Sequence, residues 1–594
     1  MLFPAKKKYT LLDCTRIVYS TVPGFALLRL LFAVIDGLLP SAIVLASANF
    51  IDKALAVASG GLSRSDVLPA LAIFAGVMAL NWMIGVIEML ANARMDQRFS
   101  CKIWKGYIDF MQPLAYRYIE DSDSANMAER FRKQITNVIR GGYYQILDVV
   151  RILINIVTVA ALIAATVWWS PIVLVGMIAL LAWISVKSGK ATNEFEHKTE
   201  GLWRHTWAIS QDLTQRDSVE ERMMFDYSDD LDRFWQKKMG EGIRKSARLQ
   251  MGWRGVRTIG NVITLCAGGA MIAPLVGPTV SGALSIGMFI SLSGAAFNLV
   301  DLSWNFAWLA EDYAWRKDFL KDIAKMSMWE RDPEAELPPS EDAEEFESLE
   351  FKNVTFTYPG TERQILNGLS FKLEKGKHYA IVGSNGAGKT TIAKLITGLY
   401  GEYEGEILLN GRELRSWPMS ERKAIFACLF QDFARYEISL RKNIELGALP
   451  NTDEVDIDRA IRLSGLEDTV AELPKGVETP LGKIDEGGQE LSGGQWQRVA
   501  MARTVSGRRQ FYILDEPTAA LDPMAESRMY EDFGEIAKGK TTVFITHRLG
   551  SVHLADEIIV IENGVTAEQG SFDELSSGEG VFARMYASQR SWYV

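Results

Sequence analysis

Six times between residues 24 and 309 the sequence returns to an apolar run long enough to cross a hydrocarbon core, and beyond Glu341 it never does so again. A helix needs roughly 20 such residues to span a bilayer. The runs lie at 24–47, 67–91, 144–168, 170–187, 256–276 and 283–309. Lipid cannot satisfy backbone polar groups, so each run is restricted to a helix. The chain is 594 residues long, 48% hydrophobic and 23% charged, too charged for a protein of membrane helices alone. The contrast between its halves excludes both a simple soluble enzyme and a channel made only of spans.

The connections between the runs set the orientation. Residues 92–143 and 188–255 form long polar loops, whereas the other connections are short. The first long loop alone carries Arg94, Arg98, Lys102, Lys105, Arg117, Arg130, Arg132, Lys133 and Arg140; the short connections offer only Lys53 and Arg64. Lys and Arg collect on cytoplasmic flanks, so both long loops, Lys6 to Lys8 and the C-terminal half are expected on the cytoplasmic side of the cell membrane. Runs such as 124–139 and 218–239 mix charge with apolar residues without Gly or Pro, which predicts helical extensions of the spans. Residues 9–20 can form an amphipathic surface helix or a disordered tail. No cleaved signal is expected.

Ionisable residues in a span are costly unless they face protein or water. Asp36 is therefore the candidate for a cargo cavity, while Glu88, Asp148, Arg151 and Asp301 are expected to sit at the cytoplasmic rim or to pair structurally. Trp82, Trp168, Trp169, Trp183, Trp304 and Trp308 read first as interface anchors. The four cysteines lack metal-ligand spacing and are expected to be small buried side chains in a reduced compartment. A net charge of -10 gives no footprint for nucleic acid, which is not expected as a partner.

An acidic stretch with Pro333, Pro338 and Pro339 marks a linker, and a new domain follows. The domain reading is an N-terminal segment at 1–20, a six-span region at 21–325, a linker at 326–348 and a nucleotide-binding domain at 349–594. The apolar strand from Tyr379 to Val382 leads into Gly383, Ser384, Asn385, Gly386, Ala387, Gly388, Lys389 and Thr390, then a helical pattern from Thr391. This is a phosphate-binding loop in sequence and context. Its amides meet phosphate charge, Lys389 reaches the β and γ oxygens, and the Thr390 hydroxyl coordinates Mg²⁺. A second strand, Phe511 to Leu514, ends in Asp515, assigned to the metal, and Glu516, assigned to the attacking water. A third, from Thr542, delivers His547, which alone would more often be a structural histidine.

Leu491-Ser492-Gly493-Gly494-Gln495 then precedes a helical stretch. With this pentapeptide the sequence resembles the ATP-binding cassette (ABC) transporters, over nearly its whole length. The resemblance implies a multidomain fold: an all-α six-helix transmembrane domain of the exporter (type IV) kind, followed by an α/β P-loop cassette. It further implies that Tyr358 stacks on adenine, that Gln431 touches Mg²⁺ and senses the membrane half, that Asp522 lies in the loop that crosses to the partner, and that His547 is the switch histidine. Ser492, Gly493, Gly494 and Gln495 would clasp the γ-phosphate held by an opposite cassette, so one copy is half a transporter. A homodimer suffices, and a heterodimer remains open. By the resemblance, ATP closes the cassettes and transport runs outward. The alternative is a membrane-anchored ATPase with a regulatory or channel role. Stretches such as Tyr118 to Asp121 and Pro517 to Pro523 are most like bacterial exporters that include lantibiotic-type peptide transporters. No protease domain precedes the spans, so leader cleavage is not expected.

Overall fold

The computed structural model describes residues 3–165, 168, 170–215, 218–332, 334–448, 455–517 and 538–590. The chain divides into two compact units, Met1–Phe110 with Met127–Met328, and Met111–Asn126 with Trp329–Val594.

The first unit is helical. Six long helices, Pro23–Ala58, Leu68–Met111, Ser122–Ala164, Ser170–Thr214, Ser228–Ile272 and Ile286–Ser327, cover most of each of the six apolar runs, whose ends at 165–168, 273–276 and 283–285 lie beyond them. Most are far longer than a bilayer needs at 1.5 Å per residue, so they carry the polar loops as helical extensions. The extension expected over 218–239 is not continuous. Helix Val219–Phe225 stops at Asp226, whose φ of 51° is left-handed, and the next helix starts at Ser228. Aspartate tolerates this conformation better than most residues, so the helix breaks at Asp226-Tyr227 although neither is Gly or Pro. Residues 11–21 form a helix rather than a tail. A capping box between Thr10 and Asp13 starts it.

Close crossings hold this unit together. A Cβ on Gly37 would lie 2.8 Å from Ile154, so the Pro23–Ala58 and Ser122–Ala164 helices meet where the first has no side chain. Among the intramembrane charges, Glu88 pairs with Arg29, and Asp148 pairs with Arg151 at 2.9 Å. Asp36 is half-buried, within electrostatic reach of Arg151 and Arg29. The side chain of Asp301 lies outside the described residues, as do those of Trp169 and Trp304. The cysteines do not all follow the expected burial. Cys14 is buried and Cys428 half-buried, but Cys101 and Cys266 are exposed. Cys266 lies in an apolar run, and an apolar face of a span needs no protein cover, whereas Cys101 lies on the polar extension 92–143.

The second unit is built on two sheets. An antiparallel sheet of β1 (Ser348–Thr357), β2 (Gln364–Glu374), β4 (Glu404–Leu409) and β5 (Arg412–Glu413) runs in the order β2-β1-β4-β5. A six-stranded sheet contains β3 (His378–Gly383), β6 (Phe426–Leu429), β7 (Phe511–Asp515), β8 (Thr541–Ile545), β9 (Glu557–Glu562) and β10 (Val565–Gly570) in the order β10-β9-β3-β8-β7-β6. All its pairs are parallel except the edge pair β9–β10. Every residue of β7 and β8 is buried, Thr541, Thr542 and Asp515 included, as in strands covered on both faces. Phe351, Phe356 and Phe511 lie in the core between the sheets, with Phe351 stacked on Phe371 at 4.5 Å.

Candidate functional site

Four neighbouring parallel strands, β3, β8, β7 and β6, end on the same edge of the sheet, and each hands a candidate residue to it. In open α/β sheets this carboxyl edge is where ligands bind. The phosphate loop follows β3, His547 follows β8, Asp515 and Glu516 end β7, and Gln431 comes two residues after β6.

The loop's geometry depends on two glycines. Gly386 and Gly388 have φ of 80° and 100°, and a Cβ on Gly388 would press into Leu366 at 2.7 Å. Ala387 donates its amide to Ser384 O at 3.2 Å, and the helix Lys389–Ile396 begins immediately. Lys389 is buried, with Nζ donating to Gly383 O at 2.9 Å and Ser384 O at 3.0 Å. Burial lowers its pKa, opposed by the nearby carboxylates of Glu516 and Asp515. The helix N-terminus and this ammonium give the loop the polarity that phosphate requires.

Asp515 is 1% exposed, and neither carboxylate oxygen has a hydrogen-bond partner. Burial pushes its pKa up to about 6, although the Thr390 hydroxyl lies close enough to oppose the shift. A desolvated carboxylate whose neighbour is a single hydroxyl is costly. A divalent cation would offset that cost, so the oxygens of Asp515 and Thr390 fit Mg²⁺, while Gln431 reaches the same corner through Glu516.

Glu516 stands at the centre of the convergence. Gln431 Nε2 donates to its Oε2 at 3.1 Å, and its Oε1 lies 3.1 Å from His547 Nδ1. Its φ of 50° is left-handed, a conformation that costs a residue with a Cβ on the order of 1 kcal/mol and collects at working sites. Its amide donates to Ile545 O at 2.9 Å and its carbonyl accepts from Gln497 Nε2 at 2.9 Å, which fixes the turn. Gln497 escaped sequence reasoning. It is a buried polar residue on the helix that opens with the pentapeptide, and burial of a glutamine is not visible in one sequence. Gln589 was missed likewise. It accepts from Leu549 N at 2.9 Å and donates to His547 O, so the C-terminal helix steadies the His547 turn.

The pentapeptide opens the Gly493–Ser506 helix. Ser492 is the N-cap, accepting from Gln495 N at 3.2 Å, while the Gln495 side chain accepts from Ser492 N at 2.8 Å. This reciprocal box presents Gly493 and Gly494 as the first helical residues, exposed or partly so. Among the described residues no hydrogen bond joins Ser492 to Gln495 with the phosphate loop. Tyr358 is half-buried, its ring edge-on to Phe356 at 5.1 Å and Tyr400 at 5.6 Å, its hydroxyl 2.9 Å from Thr391 Oγ1. Asp522 lies outside the described residues.

Residues 366–519 match the ABC transporter family. The chain is 28% identical over 595 residues to the subtilin transport ATP-binding protein of Bacillus subtilis, covering 97% of this chain and 93% of that one. It is 38% identical to the ATP-dependent lipid A-core flippase of Pseudomonas fluorescens over 239 residues, 40% of this chain and 39% of that one. Its backbone is similar to that of a bacterial Atm1-family ABC exporter solved with ATP bound, with a TM-score of 0.70 at 24% identity, covering 94% and 98% of the two chains.

Proposed function

We propose that this chain, whose residues 366–519 match the ABC transporter family and whose backbone has the ABC exporter fold, is an ATP-hydrolysing half-transporter that works as a pair of identical copies. The observation that carries this reading is the meeting of Gln431, His547 and the strained Glu516 beside a phosphate loop, in a chain that also holds six membrane-length helices. A site for ATP without the helices would be a soluble ATPase.

Tyr358 would stack on adenine, and the loop from Gly383 to Thr391 would hold the phosphates. Asp515, Thr390 and Gln431 would hold Mg²⁺, which neutralises phosphate charge when bound. Glu516, already aligned by Gln431 and His547, would orient and deprotonate the attacking water, and His547 would bridge that carboxylate to the γ-phosphate. The helix capped by Ser492 offers amides and a partial positive charge and, among the described residues, makes no hydrogen bond to its own chain's loop, so it suits the γ-phosphate on a second copy, where Asp522 would cross at the same seam. ATP then favours the closed pair because it makes contacts only there, and hydrolysis releases them.

For cargo we favour a peptide. The match to the subtilin transporter runs through the membrane helices, where cargo is chosen, whereas the flippase match spans two-fifths of the chain. Asp36 is the cargo-site candidate. Replacement of Glu516 by Gln should keep ATP binding and lower turnover by roughly 10²-fold or more, the scale of a lost general base. Turnover at the parent rate would remove Glu516 from this role. Concentrative, ATP-dependent uptake of a labelled peptide into inside-out vesicles tests the pumping itself.

A further inference from the structure

The segment Met111–Asn126, which joins two membrane-length helices, packs within the cassette unit. A short helix, Arg117–Glu120, forms its middle. Its backbone pairs with the start of the linker, where Ala115 N donates to Glu330 O at 3.1 Å and Asp332 N donates to Pro113 O at 2.8 Å. Arg117 pairs with both Glu330 and Glu402.

One side chain joins this segment to the adenine platform. Lys394, on the helix that follows the phosphate loop, places Nζ 2.6 Å from Glu120 Oε1, 5.6 Å from the ring centre of Tyr116 and 5.3 Å from that of Tyr358. The aromatic rings close the circuit, since Tyr116 meets Tyr400 edge-on at 5.4 Å and Tyr400 meets Tyr358 at 5.6 Å. The Lys394 side chain is only 15% exposed. Burial alone would lower its pKa, yet Glu120 and the tyrosines hold it above the ordinary lysine value, so it stays charged.

We propose that Lys394 is a positioning residue that senses the nucleotide base: it braces Tyr358 from behind and carries base occupancy to the Met111–Asn126 segment through Glu120 and Tyr116. The physical basis is desolvation. A purine laid on Tyr358 excludes water from its neighbourhood, which strengthens both the cation–π contact and the Lys394–Glu120 pair. Linkage makes the effect reciprocal, so a docked segment should also tighten base binding. Phosphates alone, held by the loop, would leave this circuit unchanged. The inference rests on the reading that Tyr358 and the loop bind ATP.

Hydrogen exchange on the full chain in nanodiscs, in the Glu516→Gln background with Mg²⁺ present, separates the two. ATP should slow exchange over 383–391 and also over 114–121, the latter by about tenfold, within the usual range of coupling. Inorganic tripolyphosphate should protect only 383–391. Lys394→Met should retain ATP protection of 383–391 but reduce that of 114–121 to about twofold or less, and Lys394→Arg should restore most of it. Glu120→Gln, which leaves the cassette core intact, should weaken protection of 114–121 in the same direction. Full protection of 114–121 in Lys394→Met, or equal protection by tripolyphosphate, would overturn the proposal. Absence of ATP protection over 383–391 in the parent would instead overturn the nucleotide-site reading beneath it.

Discussion

Phe351 in the cassette and Trp82 in the second membrane helix are both large aromatic residues in regular elements, yet one is 1% exposed and the other 75%. Water is the solvent around the first, so its strand alternates buried and exposed positions and puts the ring inside. For the second helix, lipid replaces water, and an outward apolar side chain costs nothing. The consequence is that apolar pattern encodes position in the cassette but encodes only length in the membrane helices. There, position is set by steric fit at places such as Gly37 and by ion pairs such as Arg29–Glu88.

Substitutions can break this comparison, and the largest effect should come from the cassette. Phe351→Ala removes a fully buried ring stacked on Phe371 and should cost about 3–5 kcal/mol, lowering the thermal midpoint of the purified full chain by roughly 10 °C. A midpoint within two degrees of the parent would show that the inter-sheet core is not what limits its stability. Next comes the crossing at Gly37. Gly37→Val would drive side-chain carbon into Ile154 and should cost about 1–3 kcal/mol, seen as a lower midpoint in nanodiscs and as loosened exchange in both helices. Smallest of all, Trp82→Leu should change stability by no more than about 0.5 kcal/mol and leave the midpoint close to the parent's, because lipid contact replaces lipid contact. A loss as large as that of Phe351→Ala would mean that Trp82 packs against protein, in a second copy.

The same distinction decides what could be read from the sequence. The phosphate loop was legible because its requirements are local: Gly386 and Gly388 for positive φ, Lys389 and Thr390 at fixed offsets. Asp515 and Glu516 were legible from their place at the end of a strand-like run. Gln431 carried no local signal and only the family resemblance picked it out, while His547 was offered by the strand-like run before it but read alone as a structural histidine; the sheet brings both to Glu516 from far along the chain. Gln497, Gln589 and Lys394 act through contacts between distant residues, which no spacing rule reports. The antiparallel sheet went unread because β1, β2 and β4 pair across turns and a phosphate loop. The break at Asp226 was missed for a different reason, since an aspartate can end a helix without glycine or proline nearby.

The grouping of Met111–Asn126 with Trp329–Val594 has a practical corollary for anyone cloning the catalytic half. Genetic borders drawn at the linker would discard a piece of that body encoded some two hundred codons upstream, stripping Tyr400 and Lys394 of their cover. An excised fragment carrying that wound should prove stickier and harder to purify than one supplied with the missing peptide in trans.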